Sequence, residues 1–241
     1  MKKSVILLIN VILFTFCLKA ESNNFFKDAD AFLKAHVSNG NVKYKQVLQL
    51  PDRLNELIAY INNANIETFT KQEKKAFYLN AYNLLVIKSI IKVYPISSPM
   101  DVDGFFDKQK HTVAREQLTL NELENKKIRE VYHDSRIHFA LVCAAKGCPK
   151  IADFAFMPSK VDAQLEQLTK NAMNDVNFTK VKHSKQQVQL SEIFNWYKQD
   201  FIDEAPNLLA YINKYRTQKI NENYKVSHYT YDWQLNEVGL N

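Results

Sequence analysis

Two asparagines, one histidine and two cysteines are the residues here whose types and spacing could do chemistry. In KKAFYLNAYNLLVIKSIIKVY, Asn80 and Asn83 stand three positions apart in an apolar run, so on a helix they share one face. A buried amide without a partner costs about 1–3 kcal/mol. The pair must therefore either clamp neighbouring loop backbone or line a polar site at the centre of the domain. In HFALVCAAKGCP, His138 precedes Cys143 and Cys148. Side chains alternate on a strand, so a direct Cys143–His138 dyad requires the strand to end or twist before Cys143. The two cysteines, with Gly147 to bend the chain between them, admit three readings. They can close a small disulfide ring, worth roughly 2 kcal/mol in the entropy model. Cys143 can instead act as a catalytic thiol, or both can ligate a metal. The second Cys-x-x-Cys half of a structural zinc site is absent, and no metal is assigned. Glu122, Glu124 and Arg136 lie close in sequence to His138. A carboxylate aimed at an imidazole fixes its tautomer, as general base catalysis requires. Glu124 is the expected orienter of His138 and Arg136 a binding residue, against helix capping for Glu122 and a solvated face for Glu124. His228, Thr230 and Asp232 offer a second His–Asp pair, which packing of a terminal strand explains equally well.

Several function classes are excluded at once. Only four glycines occur in 241 residues, each far from the next. Dinucleotide fingerprints and phosphate-cradling loops need closely spaced glycines, so both are out, and no cofactor is implied. No HExxH and no GxSxG occurs, which removes zincin and α/β-hydrolase chemistry. The chain opens MKKSVILLINVILFTFCLKA, in which two lysines precede an apolar run from Ser4 to Leu18 and Ala20 follows. That is the pattern of a secretory signal peptide over residues 1–20, with an uncleaved anchor as the alternative. The formal charge of +6 includes Lys2, Lys3 and Lys19, so residues 21–241 carry 29 basic against 26 acidic groups, a net +3. No basic stripe interleaves with aromatics, and nucleic acid is excluded as a partner. The expected destination is periplasmic or secreted, with no transmembrane span in the mature chain, and an oxidising compartment suits a cysteine pair.

The elements that must position these residues follow from periodicity and caps. Residues 25–37 have helical apolar spacing, and Pro51 opens PDRLNELIAYINN in a tolerated first-turn position. Thr70 and Glu73 form a capping-box pattern before a central buried helix that Pro95 ends. Thr119 and Glu122 repeat that pattern before a shorter helix. IHFALVC reads as a buried strand. Ser159 with Asp162, then Ser191, then Pro206 open three further helices, and Val188–Leu190 and the aromatic tail YKVSHYTYDWQLN read as strands. No linker or repeat divides the chain. The expectation is one mostly helical α+β domain over residues 24–241, with a small central sheet.

KKAFYLNAYNLLVIKSIIKVYP, RIHFALVCAAKGCPKI and VQLSEIFNWYKQDF, in that order, resemble the family catalogued as domain of unknown function 547. NVKYKQVL and YTYDWQLN extend the resemblance to roughly residues 40–236. It implies that Asn80, Asn83, His138, Cys143, Cys148 and Pro149 are motif positions. It also aligns Glu124 with the glutamate of a segment usually written Ile-Glu-His, where this chain has Asn125 in place of the histidine. A likeness to papain- or transglutaminase-like hydrolases, where a helix packs on a strand carrying the base, is a fold-level analogy. Two functions fit the sequence. One is an exported hydrolase- or transferase-like site where the Asn80/Asn83 helix meets the His138 segment, with Cys143 as nucleophile. The other is a non-catalytic extracytoplasmic binding or envelope-associated domain stabilised by a Cys143–Cys148 disulfide. In either case the partner is a small-molecule, peptide or envelope ligand.

Overall fold

The computed structural model describes residues 24–239; the expected export segment, residues 1–20, lies outside them. α1 covers residues 24–36, and the short strands β1, Val37–Ser38, and β2, Asn41–Val42, pair antiparallel behind it. α2, Tyr44–Gln49, and α3, Asp52–Asn63, follow. α4, Lys71–Val93, is the central helix: Thr70 and Glu73 close the expected capping box, and nearly every residue from Ala76 to Ile91 is buried. An apolar surface on all faces obliges a helix to be surrounded, and α4 packs against α2, α3, α7 and the helical segment after Leu123.

β3, His111–Val113, and β4, Glu116–Leu118, form a hairpin. Its two turn residues, Ala114 and Arg115, have positive φ and donate to the carbonyls of Ile61 and Asn62 at 2.8 and 2.9 Å. The tip of the hairpin thereby satisfies the end of α3, whose last carbonyls have no partner within the helix. The Thr119–Glu122 capping box forms as expected and opens α5, Leu120–Glu122. The chain then widens into a π-helix, Leu123–Arg129, before closing as α6, Glu130–Tyr132. Wide turns of this kind are frequent at functional sites.

IHFALVC is not a strand. Ser135–Phe139 is a 3-10 helix capped by Asp134, which accepts from the Arg136 amide, and the chain beyond it is irregular. The segment needs no neighbouring strand because Asn83 supplies its backbone partners. α7, Val161–Asn174, starts without a side-chain cap, so the expected Ser159 cap does not form. Asp162 instead accepts from Gln72 and Arg136. β5, Lys180–Lys182, β6, Gln187–Ser191, and β7, Lys225–Tyr229, make the largest sheet, with β5–β6 antiparallel and β6–β7 parallel. Between β6 and β7 lie α8, Ile193–Trp196, α9, Lys198–Ile202, and α10, Leu208–Tyr215. The one helix expected after Ser191 thus breaks at Tyr197, and Asn207 rather than Pro206 caps the last helix. The architecture is α+β, about half helical, with small sheets of two and three strands among the described residues. Among the described residues no helix is long and apolar enough to cross a membrane.

His111 on β3 is buried, and its Nε2 has no hydrogen-bond partner among the described residues. Burial first, and the charge of Lys92 second, lower its pKa from 6.5 to about 4. The unfolded chain therefore takes up a proton below pH 6.5 that the folded chain refuses until about pH 4. Stability should fall by on the order of 2–3 kcal/mol as pH drops through this window, and stay flat above it. Urea titrations of wild type and His111→Gln at pH 7 and pH 4.5 check this; only the wild type should show the loss.

Candidate functional site

Both asparagines of α4 are committed to loop backbone. The Asn80 amide donates to the Phe156 carbonyl at 2.8 Å and accepts from the Phe156 amide at 2.9 Å. Asn83 does the same to two residues of the irregular segment, donating to Ala140 O at 2.9 Å and accepting from Val142 N at 3.0 Å. Each side chain mimics one rung of a β-ladder, and both are buried. Arg136 is likewise engaged in ion pairs. It meets Asp134 through two nitrogens, at 2.8 and 2.7 Å, and reaches Asp162 at 3.2 Å, beside the buried Lys75–Asp134 pair at 2.6 Å. Burial would raise the Asp134 pKa, but hydrogen bonds from Arg136 and Lys75 outweigh it and bring it down to about 2.

The absence of a strand changes what His138 and Cys143 can share. Both line one cavity of about 410 Å³, together with Glu124 and Cys148. Glu124, on the π-helix, is not the partner of His138. The His138 Nε2 instead meets Asp200 Oδ2 at 2.7 Å, and the imidazole stacks on Tyr197 with centroids 4.0 Å apart. Arg129 grips both oxygens of the same aspartate, at 2.9 and 3.0 Å, and lies over the Tyr197 ring. The His138 hydrogen bond first, then Arg129, hold the Asp200 carboxyl far below the usual range against the opposing effect of burial. Asn125 accepts from Arg129 and so belongs to this chain of contacts.

Glu124 faces two phenols. Burial first, and then the Glu124 charge and hydrogen bond, raise the pKa values of Tyr82 and Tyr197 well above the ordinary value. Glu122, by contrast, is a cap that also pairs with Lys110 and Lys126 at the surface. The lining is also aromatic: Trp196, Tyr231 and Trp233 belong to it, and Trp196 is 49% exposed.

Cys143 and Cys148 form a disulfide, which removes Cys143 as a resting thiolate nucleophile. The Tyr231 hydroxyl touches both sulfurs, at 3.1 and 3.0 Å. The turn between them is fastened to the tail: Lys146 N donates to Gln234 O at 2.7 Å and Gly147 N to Asp232 O at 2.8 Å. A Cβ on Gly147 would lie 2.9 Å from the Asp232 nitrogen, so close approach requires glycine there. The second His–Asp pair does not form: among the described residues His228 and Asp232 share no hydrogen bond. No group of His, Cys, Asp or Glu able to hold a metal ion occurs among the described residues either.

Fold and cavity define an α+β domain with an aromatic pocket of ligand size. Over residues 66–171 the chain matches the family described as "Protein of unknown function, DUF547". This span is narrower than residues 40–236. It contains Asn80, Asn83, Glu124, His138 and both cysteines, while Trp196, Tyr197, Asp200, Tyr231 and Trp233 lie beyond it. No curated protein and no solved structure matches the chain, so the papain- and transglutaminase-like analogy gains no support.

Asp200, Arg129 and the aromatic wall are not singled out by sequence. The one available signal is the WYKQDF stretch, where Tyr197 and Asp200 stand three apart, close enough to flank one imidazole. Removing the Asn83 clamp should be costly. Asn83→Ala leaves a buried amide and a buried carbonyl unpaired, for an expected loss of about 2–5 kcal/mol. Denaturant unfolding checks this, with Asn171→Ala on the exposed face of α7 as a control expected to change little.

Proposed function

We propose that the cavity between Glu124, His138 and the two tryptophans is the working site of an exported hydrolase- or transferase-type domain. The observation that carries this reading is the convergence of Glu124 and an Asp200-held His138 on one aromatic cavity. With Nε2 turned to a carboxylate, the neutral imidazole keeps its proton on that nitrogen. Nδ1 is then left to accept a proton from a water or a ligand hydroxyl. Asp200, itself held by Arg129, stabilises the imidazolium that results. Glu124 supplies a carboxyl group to the same cavity. With Cys143 in the disulfide, the chemistry rests on histidine and carboxylate rather than on a thiol ester.

The second reading, a non-catalytic binding domain in the cell envelope, is favoured by the disulfide and by the wholly structural use of Asn80, Asn83 and Arg136. Export is supported by the pattern of residues 1–20 and by the disulfide, which suits an oxidising compartment. An intact mass lacking the first twenty residues would establish it.

Chromogenic esters, glycosides and peptide anilides separate the two functions. The catalytic reading expects turnover of at least one of them, reduced at least about 100-fold in His138→Gln and in Asp200→Asn, with both variants folded by circular dichroism. Equal turnover by wild type and His138→Gln, or none from any of the three, overturns it and leaves the binding domain.

A further inference from the structure

The cavity has a charge character at odds with the chain around it. The sequence carries 32 lysines and arginines against 26 acids, yet the lining contains Asp107 and Glu124 and no lysine or arginine. Glu124 is only 7% exposed. It faces the Tyr82 and Tyr197 hydroxyls and makes no ion pair among the described residues. Arg129 is within electrostatic range of it, but that guanidinium is bound to both oxygens of Asp200.

The same cavity holds an aromatic corner. Both tryptophans of the chain line this cavity. Their centroids are 6.0 Å apart with the planes near parallel, at 25°. Tyr231 closes the corner at 4.9 Å from Trp196 and 4.7 Å from Trp233, inclined to both. Ring faces carry negative quadrupole potential, which attracts cations. An anionic ligand meets Asp107 and Glu124 and no lysine or arginine in the lining. A neutral apolar ligand desolvates Glu124 with nothing in return. A bare metal ion lacks the ligand cluster it would need among the described residues.

We infer that the cavity selects an organic cation, an alkylammonium or quaternary ammonium group, seated on Trp196, Trp233 and Tyr231 with Glu124 as its counter-charge. This names the substrate class for the site proposed above and rests on that reading of the cavity.

Because both tryptophans line the cavity, intrinsic fluorescence reports its occupancy directly. Choline and its neutral carbon isostere, dimethylbutanol, are titrated into the full-length mature protein. The expected result is that choline quenches the emission and binds about tenfold more tightly than the isostere. Glu124→Gln should bring choline to the level of the isostere without weakening the isostere. Asp107→Asn, at an exposed position, should weaken choline by a smaller factor and guards against a folding defect in the first variant. Equal binding of the two probes, no response to choline, or an unchanged preference in Glu124→Gln overturns the inference. His138-dependent turnover alongside equal probe binding would sink the cation preference alone. Glu124-dependent choline binding without turnover would sink the catalytic reading alone.

Discussion

The amide of Asn83 is the contact on which the arrangement of the cavity depends. It gives the buried chain between Ala140 and Val142 the two hydrogen bonds that a neighbouring strand would otherwise have to supply. Freed from a sheet, the segment enters as a 3-10 helix and leaves as irregular backbone, which brings His138 and Cys143 to the same cavity. A helical turn away, Asn80 acts in the same manner, fixing Phe156 and with it the entry to α7. A helix buried on all sides has few ways to hold irregular chain against itself, because loops carry unpaired polar groups. Two side-chain amides three residues apart solve that problem at one face. The polar residues in the middle of the core are thus structural, and their effect on the site is indirect.

Two carboxylates, Glu124 in the cavity wall and Asp200 behind His138, stand in different electrostatic settings. Asp200 has two cationic or proton-bearing partners, Arg129 and His138, and its charge is taken up in holding the imidazole. Glu124 has the Tyr82 and Tyr197 phenols for neighbours and no ion-pair partner among the described residues. The π-helix makes the second arrangement possible. It carries Glu124 and Ile128 to the buried side within a segment whose lysines, Lys126 and Lys127, pair outward with Glu122 and Glu116.

The elements with the plainest local signals are legible in the sequence. Thr70 with Glu73 and Thr119 with Glu122 announce helix starts because each pair satisfies amides that no helix can satisfy internally. The all-apolar run from Ala76 announces a central helix for a similar reason: it can go nowhere else. IHFALVC misleads because its hydrophobicity reports burial, and burial does not distinguish a strand from a 3-10 turn held by an asparagine. The cysteine pair is legible as one of three readings, and the disulfide is the reading that formed. The partner of His138 is illegible from sequence because Asp200 is sixty-two residues away, on a helix whose break at Tyr197 has no composition signal. Glu124 is the expected orienter because it is near in sequence; the fold uses that proximity for a different neighbour.

The fastening of the tail to the disulfide turn has a temporal consequence. Tyr231, Trp233 and the strand-like contact of Leu235 with Ala145 complete the cavity, whereas α4 and His138 come well before them in the sequence. During synthesis α4 and the cysteine pair emerge before Trp196, Tyr197, Tyr231 and Trp233, which supply the aromatic part of the lining. The lining is therefore complete only once the chain has been made through Trp233.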